Sequence, residues 1–352
     1  MHKKILAAAI AATMATSAMA LEVYNDDTNS LSIGGRIGLS MNDNDKSVDN
    51  DSSRINFKYG HNFGNGWTGA GVVEWSFDTV AKSGDDVFGN RLGFVELAHD
   101  DLGTFRGGKQ FSVFGEIAEW SSDMMLFNGG KWIGIYDGVT GDGGFNGTGR
   151  ADGAVTYRNS FGGLNVGLQA QAKDQKDGYD RKMGYGIGLS YDLPMGFSVG
   201  YAYNEAEMNK SANNLDGKNA KAQVLSAKFE MDALYVGASY GEFKHHLQQF
   251  SGMGGGLLAE KAKTYDLYAS YALNNVVDGF SVYTGHQKVD FSKNAAGDST
   301  KAEGTTTSIG AMYEVGPMLF GAQYDKVTEK DNLGKKSKDA DDVFTINARY
   351  YF

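Results

Sequence analysis

The sequence predicts an all-β fold, a sixteen-stranded antiparallel transmembrane β-barrel with a long third loop folded into the lumen. Three observations carry that prediction. From residue 30 onward the side chains alternate with period two, the signature of strands whose successive residues face opposite ways. The connections alternate between tight turns and long polar loops. Past residue 20 no run of 18 apolar residues occurs, so no membrane-spanning helix is expected, whereas strands of about 9–11 residues, tilted, span the hydrocarbon.

Residues 1–20 read as a processing signal that is removed. Lys3 and Lys4 supply a positive start, Ile5 to Met14 an Ala-rich apolar stretch, and Ala18-Met19-Ala20 a small-residue cleavage pattern. Residues 21–352 are then one barrel domain. The chain of 352 residues contains 49 Gly, 2 Pro and no Cys, with 41% apolar and 12% aromatic residues. The lack of cysteine rules out disulfides and thiolate metal sites. Net charge is −10, and −12 without residues 1–20, which opposes nucleic-acid binding because phosphate neutralisation needs an excess of Lys and Arg.

The alternating segments are 30–41, 52–63, 67–79, 87–99, 104–112, 149–160, 164–174, 182–193, 196–207, 220–231, 233–245, 261–273, 280–291, 304–315, 318–328 and 341–352. In 264–273, Tyr265, Leu267, Ala269, Tyr271 and Leu273 oppose Thr264, Asp266, Tyr268, Ser270 and Ala272. In the last segment, Phe344, Ile346, Ala348, Tyr350 and Phe352 oppose Val343, Thr345, Asn347, Arg349 and Tyr351. One face is apolar on every strand. The other is too rich in Gly, Ser, Asn and charge for the dry core of a soluble sandwich or β-helix. Aromatics near strand ends, among them Phe57, Tyr59, Tyr191, Tyr313, Tyr350 and Phe352, suit an interfacial girdle.

Tight connections include Gly64-Asn65-Gly66, Phe161-Gly162-Gly163, Pro194-Met195 and Gly316-Pro317; both prolines fall where a missing N–H harms no ladder. The long connections are polar, such as 42–51, 209–219, 292–303 and 329–340. One breaks the pattern. Residues 113–148 form the longest interval without a strand, yet contain Phe114, Ile117, Trp120, Met124, Met125, Leu126, Phe127, Trp132, Ile133 and Tyr136. Disorder goes with few aromatics, so this loop is expected to pack inside the barrel and narrow a water-filled pore.

Several stretches resemble the general diffusion porins of Gram-negative outer membranes. Leu21-Glu22-Val23-Tyr24-Asn25 is similar to their mature N-terminus. Arg91-Leu92-Gly93-Phe94, followed by the run from Leu102 to Lys109, resembles the lead into their third loop. Arg150 to Ser160 resembles the strand after it, and Tyr350-Tyr351-Phe352 an assembly signal read by the barrel-assembly machinery. The resemblance implies a homotrimer in the outer membrane, in contact with lipid and lipopolysaccharide, that passes small hydrophilic solutes and ions without a cofactor.

Selectivity in such a channel comes from pore width and the charges lining it. The resemblance implies a basic cluster of Arg36, Arg54, Arg91 and Arg150 facing loop acids: Asp123 first, then Glu116 and Glu119. Parity supports Arg36, Arg54 and Arg150 on polar faces. Parity leaves Arg91 less clear, since its face includes Val95 and Leu97. The loop also departs from the family: Phe127 stands at a usual glutamate, and Lys131 where an acid is common. The acidic side of the pore is therefore expected to be thin.

Other motifs carry less. Gly196-Phe197-Ser198-Val199-Gly200 and Gly237-Ala238-Ser239-Tyr240-Gly241 match a nucleophile elbow, but both lie in strand patterns rather than a strand-turn-helix. Residues 42–51 are acidic but lack the turn glycine and distal glutamate of a calcium loop. Gly141-Asp142-Gly143-Gly144 lacks the rest of a phosphate loop, and the adjacent pair His245-His246 is poor metal geometry. The competing readings are an outer-membrane enzyme, phospholipase-like, and a plugged structural or adhesive barrel.

Overall fold

Alternation becomes pairing in the computed structural model, which describes residues 20–176, 178–211, 217–250, 253, 255–337 and 341–352. The processing signal expected over residues 1–20 lies outside them, Ala20 excepted. The strands are β1 (Leu21–Asn25), β2 (Asn29–Asn42), β3 (Val48–Asn50), β4 (Arg54–Gly64), β5 (Trp67–Phe77), β6 (Phe88–His99), β7 (Gly103–Phe111), β8 (Arg150–Phe161), β9 (Leu164–Gln171), β10 (Asp174–Lys176), β11 (Tyr179–Asp192), β12 (Phe197–Ser211), β13 (Asn219–Met231), β14 (Leu234–Lys244), β15 (Lys261–Ala272), β16 (Phe280–Lys293), β17 (Glu303–Val315), β18 (Met318–Lys330) and β19 (Val343–Tyr351). β1, β3 and β10 are short additions. The other sixteen match the expected segments, with ends displaced by at most four residues.

Each of the sixteen pairs antiparallel with its neighbour, and β19 pairs with β2 (Ala348↔Leu39, Tyr350↔Ile37), so the sheet closes. Closure leaves no long edge to recruit another chain. The seam holds a feature absent from the sixteen segments. β1 also pairs with β2, from Leu21↔Ile33 to Asn25↔Ser30. β19 ends where Phe352 exchanges both backbone hydrogen bonds with Gly35, at 2.8 and 3.1 Å. β1 and the end of β19 thus lie in line along one side of β2. β1 is too short and too polar at Glu22 and Asn25 to be recognised by alternation alone.

Which face is inside follows from side-chain chemistry. On β15, Tyr265, Leu267 and Tyr271 are exposed, while Thr264, Asp266 and Tyr268 are buried. On β19, Phe344, Ile346 and Tyr350 are exposed, while Thr345, Asn347 and Arg349 are buried. A continuous apolar outer surface suits hydrocarbon and not water. The short turns need left-handed backbone at few positions; in Gly64-Asn65-Gly66 all three residues have φ between 51° and 82°.

Between β7 and β8 the chain crosses the lumen along the polar face of the wall. A short helix, Gly115–Ala118, contacts β11, β12 and β13. Tyr235 on β14 donates to the Trp120 carbonyl at 2.8 Å, and the Ser122 hydroxyl donates to Asp266 on β15. Gln287 on β16 accepts from the Lys131 N–H at 3.0 Å and donates to the Asn128 carbonyl at 2.8 Å. On β18, Gln323 brackets Phe127 and Asp325 accepts from Asn128 at 2.8 Å. These bonds satisfy backbone groups that would otherwise be stranded in a crossing loop.

The apolar residues of this loop make the core, which is a wedge against one side of the barrel. Phe114, Ile117, Trp132, Ile133 and Ile135 pack with Ala202, Val224, Phe243, Val289 and Phe291. A second segment joins them. Residues 245–250 and 255–259 pair as a hairpin (His245 N to Ala259 O, 3.0 Å; Gln249 N to Leu257 O, 2.8 Å) and bury Leu247, Leu258 and Ala259. His246, expected at a loop edge, is instead buried. It stacks on Phe243 and hydrogen-bonds the Gly134 carbonyl at 2.8 Å, tying the hairpin to the crossing loop.

Candidate functional site: an arginine-lined cavity

The crossing loop leaves a cavity of about 550 Å³ against the opposite wall. Arg36, Arg54, Arg91, Arg150 and Arg349 line it from strands; Glu119, Asp123, Tyr136 and Asp142 line it from the loop. All four arginines of the expected cluster therefore meet in one place, with two of the three expected acids.

Each position has a local cause. Arg36 and Arg54 are directly opposed across β2 and β4, on the polar face. Like charges opposite one another are unfavourable, and a second row of carboxylates compensates. Arg349 makes a two-pronged bond to Asp51, 2.6 and 2.9 Å, and Asn347 donates to the same carboxylate at 2.7 Å. Arg36 Nε donates to the Ser52 carbonyl at 3.0 Å. Arg91 reaches the cavity through a β-bulge. The register slips between Glu74↔Leu92 and Trp75↔Asn90, leaving Arg91 as the extra residue, and its Nε meets Glu74 at 2.8 Å. Beyond the slip, Val95 and Leu97 face outward, so strict parity misjudges Arg91.

On the loop side, Tyr136 donates to Asp123 at 3.1 Å. Burial, then the Asp123 and Glu116 carboxylates, hold the Glu119 carboxyl well above its ordinary pKa, against the pull of Arg150. Burial also raises Asp123, opposed by the Tyr136 hydrogen bond and Arg150. Two neighbouring carboxyls so placed resist ionising together. Asp142 behaves oppositely. Burial pushes it up, but Lys109 at 2.9 Å and Arg150 outweigh this and hold it below its ordinary value.

Three expectations change. Glu116 does not line the cavity; it pairs with Arg158 at 2.7 Å, and that strand arginine draws its carboxylate away from the cavity. Phe127 and Lys131 also lie off the cavity lining: Phe127 is bracketed by Gln323, and Lys131 lies over Trp132 and 3.6 Å from Glu329. Arg349, Asp142 and Tyr136 belong to the site although sequence reasoning left them out. Parity already placed Arg349 on the polar face, but nothing local brings Asp142 or Tyr136 to the arginines. The serines of the two G-x-S-x-G matches sit within β12 and β14. Among the described residues no cluster of His, Asp and Glu could hold a metal.

A family model described as Gram-negative porin matches residues 7–287. Outer membrane protein F of Serratia marcescens is 34% identical over 263 residues, covering 70% of this chain and 68% of that protein. The chain belongs to the Gram-negative porin family. Outer membrane porin protein OmpD of Salmonella typhimurium is 31% identical over 291 residues, covering 77% and 78%. Among solved structures, OmpF of Salmonella typhi in complex with daunomycin superposes with a TM-score of 0.78 at 22% identity, covering 94% of this porin and all of that chain. An anion-selective porin from Comamonas acidovorans gives 0.69 at 15% identity, covering 92% and 100%. The porin is an outer-membrane barrel whose water-filled channel passes small hydrophilic solutes by passive diffusion.

Proposed function

We propose that the arginine-lined cavity is the constriction of this porin's diffusion path, and that residues 113–148 are the loop that narrows it. The observation that carries this is the facing of five strand arginines by Glu119, Asp123 and Asp142 across a cavity of about 550 Å³ in a closed barrel. Opposed charges on two sides of an aqueous gap create a transverse field that orders water and dipolar solutes. Asp51 and Glu74 behind the arginines offset much of the positive charge. The aperture is therefore nearly balanced, and it passes both ion signs with modest selectivity. A planar bilayer under a salt gradient tests this. A reversal potential near that of an ideal cation or anion filter would refute it.

The assembly is a homotrimer in this reading, as one trimeric relative by fold, OmpT of Vibrio cholerae, suggests. Conductance steps in groups of three are expected; isolated single steps would count against it. Lipopolysaccharide is the proposed outer-leaflet partner. Lys221, Lys244, Lys261 and Lys263 line an outward pocket at the long-loop ends of β13–β15, beside exposed Tyr265. Charge there suits lipid phosphates, and replacing the four by Gln should reduce co-purifying lipopolysaccharide. The C-terminal Phe352, at the seam, is the proposed signal to the assembly machinery; its deletion should lower insertion. Hydrolytic activity is not expected, since Ser239 bonds Ser226 at 2.8 Å and Ser198 bonds Asp192 at 2.7 Å. Turnover of phospholipid by purified protein would overturn this.

A further inference from the structure

The crossing loop sits closer to the wall than ordinary side chains allow, and glycines occur where it touches. A Cβ added at Gly167 on β9 would come within 2.8 Å of Val113 Cγ1, and one at Gly200 on β12 within 3.0 Å of Ile117 and Trp120. At Gly188 on β11 it would overlap the Val113 carbonyl, and at Gly237 on β14 the Trp120 carbonyl. At Gly285 on β16 it would overlap the Met125 sulfur, and at Gly321 on β18 the Leu126 side chain. The loop thus advances from residue 113 to 126 while the wall advances from β9 to β18, with glycine at these six points of contact.

Backbone conformation does not demand these glycines. None of the six has a left-handed φ, unlike Gly153 or Gly162, which do and face open space. Their outward neighbours on the strands are ordinary residues, such as Ala238 beside Gly237 and Thr284 and His286 beside Gly285. The missing side chain itself is what the position uses. Gly200 and Gly237 each supply one of the two glycines in the G-x-S-x-G matches.

We infer that these wall glycines are positioning residues for permeation: they set how far the loop stands from its own wall, and so how wide the gap to the arginines remains. This rests on the reading of residues 113–148 as the constriction. A methyl group at Gly237 or Gly188, which meets the loop backbone at the Trp120 or Val113 carbonyl, pushes the loop on the order of 1 Å toward Arg36, Arg54 and Arg91, because nonbonded contacts settle near 3.5–4.0 Å.

The experiment is single-channel conductance of the full-length porin in bilayers. Gly237→Ala and Gly188→Ala, which meet loop backbone, should each lower conductance to about two-thirds of wild type or less, as a narrowed aqueous path requires. Gly285→Ala meets only the Met125 side chain, which can turn aside, and should lower it less. Gly107→Ala, with nothing within 4 Å, is the control and should change nothing. Should both backbone-contact variants fail to assemble, the milder Gly200→Ala with and without Ile117→Ala asks the same question. Unchanged conductance in Gly237→Ala and Gly188→Ala, or a loss in Gly200→Ala that Ile117→Ala does not reverse, would overturn the inference. The charge variant Asp123→Asn separates the two readings. If it moves selectivity while the glycine variants do nothing, only the glycine inference fails; if neither has an effect, the constriction reading fails.

Discussion

Replacing Asp123 by Asn removes one of the three loop acids that face five arginines, while keeping side-chain volume and an acceptor for Tyr136. The size of the effect follows from Coulomb's law. A permeating ion about 5 Å from a unit charge in water gains or loses about 0.8 kcal/mol, roughly a fourfold change in local population. Asp123 shares its ionisation with Glu119, so the loss is less than one full charge and the expected change in the cation-to-anion permeability ratio is about two- to threefold. In a tenfold KCl gradient that moves the reversal potential by about 15 mV toward the chloride value. The measurement belongs at about 0.1 M salt, where the screening length is about 10 Å; at 1 M it falls to about 3 Å and hides the effect. Because burial raises the Asp123 carboxyl, the wild type approaches the variant on acidification, and the difference should be largest at alkaline pH. An unchanged reversal potential at pH 8 and low salt would remove Asp123 from the permeation path.

Three further outcomes follow from the same geometry. Glu119 and Asp123 both lie above their ordinary values, so they take up protons at higher pH than free carboxylates; selectivity should drift toward anions as pH falls from neutral, while Asp142, held low, keeps its charge, and a profile flat down to pH 4.5 would contradict this. Arg91→Ala strands the Glu74 charge beside the pore and should shift reversal toward cations; a shift toward anions would show that Arg91 does not face the path. Asp51→Asn leaves Arg349 without its two-pronged partner. Breaking a buried pair costs about 3–5 kcal/mol in a dry interior, and adjacent pore water reduces this to about 1–3 kcal/mol, read as a lower unfolding temperature in detergent by circular dichroism; an unchanged temperature would mean that the pair is fully solvated.

Much of the barrel is legible in the chain because alternation is a local property. Tyr265 and Asp266 face opposite ways by covalent geometry alone, and Gly64-Asn65-Gly66 turns wherever it is placed. The charged site is only partly legible, because it joins residues distant in sequence. Arg36 and Arg54 follow from parity. Arg91 does not, since a single bulged residue reverses its face. Glu116 and Glu119 are three residues apart in one loop, and only the partner that the folded wall offers, Arg158, takes one of them while the other lines the cavity.

The sequence by itself determined the sixteen-strand pattern, the side of the long loops, the apolar outer face and the need for the 113–148 loop to be covered. Each of these depends on neighbours a few residues apart, where backbone geometry leaves little choice. Only the tertiary structure decided which charges meet across the lumen. Closure of β19 on β2 brings Arg349 beside Arg36, and the course of the loop brings Asp142 and Tyr136 to face them. That course depends on shape as much as on chemistry: the loop follows the places where the wall has no side chains.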